Sequence, residues 1–217
     1  MLARVYKWKS RFREAEEILQ QSLQTFEKLT HEHPDVREFG YDLGHCSLEL
    51  AKTADQSGRL DVALARYDKA IPSLDDAVGK GYEAARRVAM AARIGRAMTL
   101  AKQGDHARAT EDVEALARRD GLTNVNVYDL ACLCSLSSAA AGRDETLAPT
   151  DRARLKAQHA ERAMDFLRKA VAMGYRHPAA MRTDADLDAL RDRDDFRKLL
   201  AGLETGQKGS EGGQTVH

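Results

Sequence analysis

The chain has 217 residues, with 34 lysine and arginine residues against 34 aspartate and glutamate residues, so its formal net charge is zero. The hydrophobic fraction of 43% is too high for a generally disordered chain, while the mean hydropathy of -0.54 is polar. Zero net charge argues against nucleic acid or an acidic membrane as a general partner. No apolar stretch approaches the roughly 18 residues that a membrane-spanning helix needs.

The residue types favour helices and a reducing compartment. Only 4 prolines and 6% aromatic residues occur, which is more typical of helices than of strands. The N-terminal segment has no apolar signal core, and the three cysteines do not form the even, spaced set of a disulfide framework. These features predict a cytoplasmic, nearly all-helical protein.

One pattern recurs along the chain in four helical segments. In each segment an alanine precedes a bulky residue by four positions, and another small or aliphatic residue follows three or four positions later. Such spacing places the small residue on one helix face, where a neighbouring helix can approach closely. The alanines are Ala15, Ala63, Ala109 and Ala163, and their bulky partners are Leu19, Tyr67, Val113 and Leu167.

A partner helix is predicted before three of these segments, at residues 35–57, 83–103 and 125–141. The turns at Gly58 and Gly104 suit the left-handed conformation that ends many helices. The pattern therefore predicts antiparallel helix pairs at about 1–33, 35–79, 82–120 and 125–173, stacked as an α-solenoid. In the last pair we expect a loop within residues 141–154, with Thr150 as the N-cap of the following helix.

The C-terminal part is expected to close the array. Gly174 ends one helix, and residues 174–204 contain two short capped helices that would cover the last apolar face. Residues 205–217 have Val216 as their only apolar anchor and are expected to be a disordered tail.

The recurring pattern resembles the tetratricopeptide repeat, a helix pair with small residues at set positions. On this resemblance, those positions include Ala3, Ala51, Ala97 and Ala131 in the first helices, and the fold is an all-α, right-handed α-solenoid. Residues 127–144 and 161–204 further resemble the end of the repeat tail found in certain bacterial serine/threonine kinases. The resemblance implies a link to kinase signalling, and that the chain is a shortened relative of a longer protein.

Catalytic motifs are missing from the sequence. A kinase needs a glycine-rich loop, a strand lysine and metal-binding aspartate and asparagine residues in context, and none of these motifs occurs. Neither a phosphate-binding GxxxxGK[ST] loop nor a GxSxG elbow is present. We therefore expect a non-enzyme without cofactors, and a helical enzyme with a dispersed site is the remote alternative.

Metal binding is not expected either. Cys132 and Cys134 lie two positions apart on a helix, so their side chains point about 200° from each other. Cys134 is expected to be a small buried hydrophobe. His31 and His33 flank a glutamate before Pro34 and are interpreted as the surface of a turn.

In the resembled family the first helix of each pair lines a concave groove that binds a protein or peptide. Carried over to this chain, the resemblance places an apolar strip beside lysines, which suits a peptide with some acidic character. The groove residues are Lys52, Gln56, Ile94, Met98, Lys102, Val125 and Tyr128. The asparagines of the family's carboxylate clamp for chaperone tails are missing and Glu49 intrudes, so chaperone-tail binding is not expected.

Five basic residues gather on one predicted helix and admit two interpretations. They form either a solvated helix face or one wall of the peptide groove; nucleic acid is disfavoured because no aromatic residues are interleaved with them. The residues are Arg86, Arg87, Arg93, Arg96 and Lys102.

The N-terminus offers a second interaction surface. On the repeat spacing, Met1 lies about six residues into the first helix, so the apolar residues there would sit at an uncapped end. Three interpretations follow: the array continues into an upstream domain, this end docks on a second copy as a homodimer, or it frays. The residues are Leu2, Val5, Tyr6 and Trp8.

Overall fold

The computed structural model describes residues 12–211, all of whose regular elements are helical. Nine α-helices and one 3-10 helix occur in this range. Their bounds are α1 Phe12–Glu32, α2 Arg37–Gln56, α3 Leu60–Gly79, α4 Ala84–Gln103, α5 His106–Ala117, α6 Asn124–Arg143, α7 Pro149–Ala172, α8 Pro178–Thr183, the 3-10 helix Ala185–Leu190 and α9 Asp194–Glu211. The chain divides into two compact units, with the boundary between Thr99 and Leu100 inside α4.

The first unit is built from α1, α2, α3 and most of α4. α2 packs against both α1 and α3, and residues of α3 and α4 share one core. Small residues line that core and let the helices approach, because an alanine on each facing surface leaves room for a bulky neighbour. The buried core residues include Leu48, Ala51, Ala54, Ala63, Tyr67, Ala70, Leu74, Ala85, Ala89 and Ala92.

Glycines in the left-handed conformation end the helices where the sequence places turns. Gly58 and Gly104 have φ angles of 72° and 93°, which confirms the two predicted turns within helix pairs. The Arg59 N–H bonds to the Ala54 carbonyl oxygen at 2.9 Å across the first of them, so the α2 terminus is closed by backbone hydrogen bonds.

The second unit holds the end of α4 and all the later helices. α6 packs against α5, α7 and the 3-10 helix, and it is buried along most of its length. Its start is fixed by a capping box, in which the Asn126 N–H bonds to Thr123 Oγ1 at 3.2 Å and the Thr123 N–H bonds to Asn126 Oδ1 at 3.1 Å. α6 is therefore the central helix of this unit.

Three details differ from the sequence expectations. α7 begins at Pro149 with Ala148 in the N-cap position, so Thr150 lies inside the first turn and the loop is shorter than predicted. Proline takes the first helical position because it needs no acceptor for an N–H there. Gly174 ends α7 with a φ of 94°, as predicted, but three helical segments rather than two follow it: α8, the 3-10 helix and α9.

The last helix also runs further than expected. The sequence predicts a disordered tail from residue 205, yet α9 continues to Glu211. No proline interrupts the helix, and the Thr205 hydroxyl lies 3.2 Å from the Ala201 carbonyl oxygen, which satisfies a polar side chain inside the helix.

Within each unit, consecutive helix pairs confirm the predicted all-α, tetratricopeptide-like fold class.

Candidate functional site

In the first unit, the first helices of two successive pairs meet directly. Thr99 Oγ1 of α4 donates towards Asp55 Oδ1 of α2 at 3.1 Å, and it also lies 2.9 Å from the Gly95 carbonyl oxygen. Between them, the Tyr67 ring of α3 rests on Gly95, where an added Cβ would lie only 2.5 Å from Tyr67 Oη. α2 and α4 are thus in direct side-chain contact at Asp55 and Thr99.

The predicted groove residues of the first unit differ in accessibility. Gln56 is exposed, Met98 is half-buried and the Lys52 side chain is 41% exposed. Lys52 Nζ lies 3.1 Å from Glu49 Oε1 one turn earlier, so its charge is shared with a neighbouring carboxylate. Ile94, by contrast, is only 5% exposed and belongs to the interior. Lys52, Gln56 and Met98 are the predicted groove residues that a partner of this unit could contact.

The predicted groove residues of the second unit are divided in the same way. Lys102 is exposed at the end of α4, and Val125 is 50% exposed in the first turn of α6. Tyr128 is only 6% exposed. A partner could therefore contact Lys102 and Val125 directly, while Tyr128 is covered by this chain's own C-terminal segment.

That cover is a cluster of polar and aromatic groups that the sequence analysis did not foresee. The Tyr128 hydroxyl donates to Asp184 Oδ2 at 2.8 Å, and the Tyr175 ring stacks on the Tyr128 ring. Cys132 Sγ lies 3.7 Å from the same carboxylate oxygen. Burial, with added repulsion from nearby carboxylates, raises the pKa of the Cys132 thiol well above its ordinary value.

Most of the basic residues on α4 have partners on their own surface. The carboxylates of Glu83, Asp75 and Asp68 pair with Arg86, Arg93 and Arg96, respectively. Arg87 is exposed. The arginine side chains thus add charge to the surface while three of them tie α4 to carboxylates of its own unit, two of which lie on α3.

The side chains that could carry metal or thiol chemistry are spread apart. Among the described residues, no group of three or more histidine, cysteine or acidic residues could hold a metal ion. All three cysteines are free, and burial raises the pKa of Cys134 to about 12 and that of Cys46 to about 11. Such thiols are poor nucleophiles near neutral pH.

A second unforeseen cluster lies in the second unit. His106 Nε2 lies 3.0 Å from Asp144 Oδ2, and the ring of His159 approaches the His106 ring edge-on at 5.9 Å between centroids. Both histidines are buried, and His159 Nε2 has no hydrogen-bond partner. The three residues come from α5, α7 and the end of α6, so helical periodicity gives no signal for the cluster.

The predicted self-association residues Leu2, Val5, Tyr6 and Trp8 lie outside the described residues. Within the described range, no helix is long and apolar enough to cross a membrane.

Comparison with known families gives one finding, and it agrees with the helix-pair architecture. The tetratricopeptide repeat family model matches residues 1–35, the first predicted pair. Searches of curated proteins and of solved structures give no significant match. The match supports a tetratricopeptide repeat protein, a class that is typically non-catalytic and mediates contacts between proteins.

Proposed function

We propose that the protein is a non-catalytic scaffold that binds a protein or peptide on the first helices of its helix pairs. The observation that carries the proposal is the contact between Thr99 and Asp55, because it holds α2 and α4 side by side. Lys52 and Gln56 of α2 and Met98 of α4 then offer a cation, an amide and a flexible thioether on neighbouring helices. This combination suits an extended or helical peptide that carries apolar and acidic side chains.

Lys52 supplies the charge selectivity in this proposal. Its partner Glu49 lies three positions earlier on the same helix, and ion pairs at this spacing contribute only about 0.2–0.5 kcal/mol to stability. A carboxylate of an incoming peptide can therefore compete for the Lys52 ammonium group at small cost. Lys102 and Val125 in the second unit are the corresponding exposed contacts there.

The free thiols of Cys46, Cys132 and Cys134 fit a cytoplasmic location.

The experiment is a selection of peptides by display on the purified chain, followed by fluorescence anisotropy with the strongest binder. Lys52→Glu should weaken binding by roughly tenfold or more, since it replaces an attraction by a repulsion. Lys69→Glu is the matched control, because Lys69 is an exposed lysine of α3, the second helix of the pair. Equal losses for the two variants would reject the assignment to the first helices.

We further propose that the partner belongs to a serine/threonine kinase system. This rests on the resemblance of residues 127–144 and 161–204 to kinase repeat tails. Surface plasmon resonance against a purified bacterial serine/threonine kinase domain tests the link. Saturable binding that Lys52→Glu weakens would support it, and the lack of any saturable signal would remove the kinase from the proposal.

Self-association through the N-terminal residues is the competing proposal. The repeat family match covers residues 1–35, the range that contains Leu2 and Tyr6, and this supports the proposal. Light scattering gives the mass directly, and Leu2→Glu should convert a dimer into a monomer if this surface is an interface. A wild-type monomer would leave peptide binding as the function to pursue.

A further inference from the structure

A cavity of about 360 Å³, open to solvent, lies in the second unit where α6 ends and α7 begins. Its volume is in the range of pockets that bind small molecules. It contains none of the residues proposed above for peptide binding. The lining residues are Gly142, Pro149, Arg152, Ala153 and Lys156.

The charge of this cavity is positive. Arg152 and Lys156 are four positions apart on α7 and so share one helix face. Two carboxylates near these cations in sequence have other partners: Asp151 pairs with Arg154 at 3.0 Å, and Asp144 pairs with His106. The two cations of the lining are therefore not neutralised by these acids.

The Arg152 guanidinium makes few hydrogen bonds to the rest of the chain. Arg152 Nε is buried and makes no hydrogen bond, while Arg152 Nη2 reaches the Leu147 carbonyl oxygen only at 3.5 Å. A buried guanidinium N–H without an acceptor is unfavourable, and hydrogen bonds to charged groups are stronger than neutral ones. Because Nε is closed off from solvent, a bound anion would contact the outer Nη groups of Arg152, and its negative charge would offset the unpaired guanidinium.

The rest of the wall is apolar and held in place by close contacts. A Cβ added at Gly142 would lie 3.1 Å from Lys156 Cδ, so the absence of a side chain there lets the lysine stem lie against α6. The Ser138 hydroxyl donates to the Lys156 carbonyl oxygen at 2.8 Å and ties the two helices together. Pro149 and Ala153 complete an apolar surface beside the charges.

We infer that this cavity binds a small organic anion, namely a carboxylate or a phosphate monoester attached to an apolar body. Arg152 and Lys156 hold the anionic group, and Pro149 and Ala153 contact the apolar body. The site is separate from the proposed peptide surface, so each can be tested without the other.

The test is a titration of the full, isotope-labelled chain with phenyl phosphate, benzoate and inorganic phosphate. Binding is monitored through the amide chemical shifts in nuclear magnetic resonance spectra. Saturable shifts at residues 142 and 150–156 are expected with phenyl phosphate or benzoate, and the tighter of the two identifies the anionic group. Equal affinity for inorganic phosphate would overturn the role of the apolar wall. No saturable shift with any probe would overturn the site.

Single substitutions distinguish binding in the cavity from a general attraction of anions to the positive charges of α7. Arg152→Gln should weaken binding at least about tenfold, because a charge-assisted hydrogen bond is lost. Arg154→Gln is the matched control on the same helix, since Arg154 is exposed and does not line the cavity. Ala153→Asp is a second variant at an exposed position and should abolish binding by repulsion. Equal weakening by Arg154→Gln, or retained binding in Ala153→Asp, would contradict the inference.

Discussion

The Tyr175 ring stacks on the Tyr128 ring, with centroids 4.4 Å apart and planes 7° apart. Tyr175 follows α7 directly, whereas Tyr128 lies on α6, the first helix of the last pair. The same Tyr128 donates its hydroxyl to Asp184, which also caps the 3-10 helix through the Asp186 N–H at 3.0 Å. The C-terminal segment is therefore attached to α6 by one stacking contact and one charge-assisted hydrogen bond.

Removing the Tyr128 hydroxyl should weaken this attachment. Tyr128→Phe keeps the ring and its stacking but removes the O–H donor to Asp184 Oδ2 and leaves only the weak Cys132 S–H beside it, so we expect a loss of about 1–2 kcal/mol in the free energy of unfolding. Urea denaturation followed by far-ultraviolet circular dichroism measures it. Tyr41→Phe is the control, because the contacts of the Tyr41 ring with His45 and Tyr82 are retained by phenylalanine. Similar losses in both variants would argue against the hydrogen bond.

Asp129, next to Tyr128, should lower stability at neutral pH. Burial raises its pKa from 3.8 to about 6, and the carboxylates of Asp184 and Asp186 add to the effect. Because its pKa is higher in the folded chain than in the unfolded chain, the folded state binds the proton more tightly. This residue's contribution to stability therefore falls as pH rises from about 4 to 6.

Asp129→Asn should be more stable than the wild type at pH 7, by roughly 1 kcal/mol, because it has no buried charge to repel Asp184. At pH 4 the two proteins should be nearly equal. Urea denaturation at both pH values gives the difference, with Asp192→Asn as an exposed control. If Asp129→Asn were less stable than the wild type at pH 7, the predicted direction of the effect would be wrong.

The contribution of His159 to stability should depend on pH in the opposite direction to that of Asp129. Burial lowers its pKa, and the neighbouring His106 adds to the effect. The unfolded chain, in which the pKa is about 6.5, then binds the proton more readily than the folded chain. The contribution of His159 to stability is complete above pH 6.5 and is lost as the pH falls below that value.

Replacing His159 by leucine should therefore reduce the loss of stability between pH 7 and pH 5. Leucine does not titrate, and it also removes the buried Nε2 that has no hydrogen-bond partner. Thermal unfolding at several pH values measures the slope, with His31→Asn as the exposed control. An unchanged slope in His159→Leu would show that another group causes the acid sensitivity.

The helix pairs could be predicted from sequence because their packing depends on local spacing. The small-residue positions of the pattern whose side chains the structure describes are all completely buried, namely Ala51, Ala63, Ala97, Ala109, Ala131 and Ala163. The site was less predictable, since its contacts join residues far apart in the chain. Asp184 meets Tyr128 across 56 positions and Asp144 meets His106 across 38, and helical periodicity contains no information on such pairs. Hence Tyr128 was expected at the surface, although the C-terminal segment covers it.

Gly95 provides the last prediction, because the Tyr67 ring of α3 packs directly against α4 there. A Cβ at this position would lie 2.5 Å from Tyr67 Oη and 2.7 Å from two ring carbons, and the buried ring has little room to move. Gly95→Ala should therefore destabilise the first unit by about 1–3 kcal/mol, despite the higher helix propensity of alanine. Urea denaturation measures this loss.

Gly79→Ala is the matched control for the same substitution, because nothing lies within 4 Å of the added Cβ in the last turn of α3. Without a steric conflict, alanine should leave stability unchanged or raise it by up to about 1 kcal/mol, as its helix propensity implies. The opposite signs of the two variants follow from the Tyr67 contact alone. If Gly95→Ala were also stabilising, the close approach of α3 and α4 at Gly95 would be wrong.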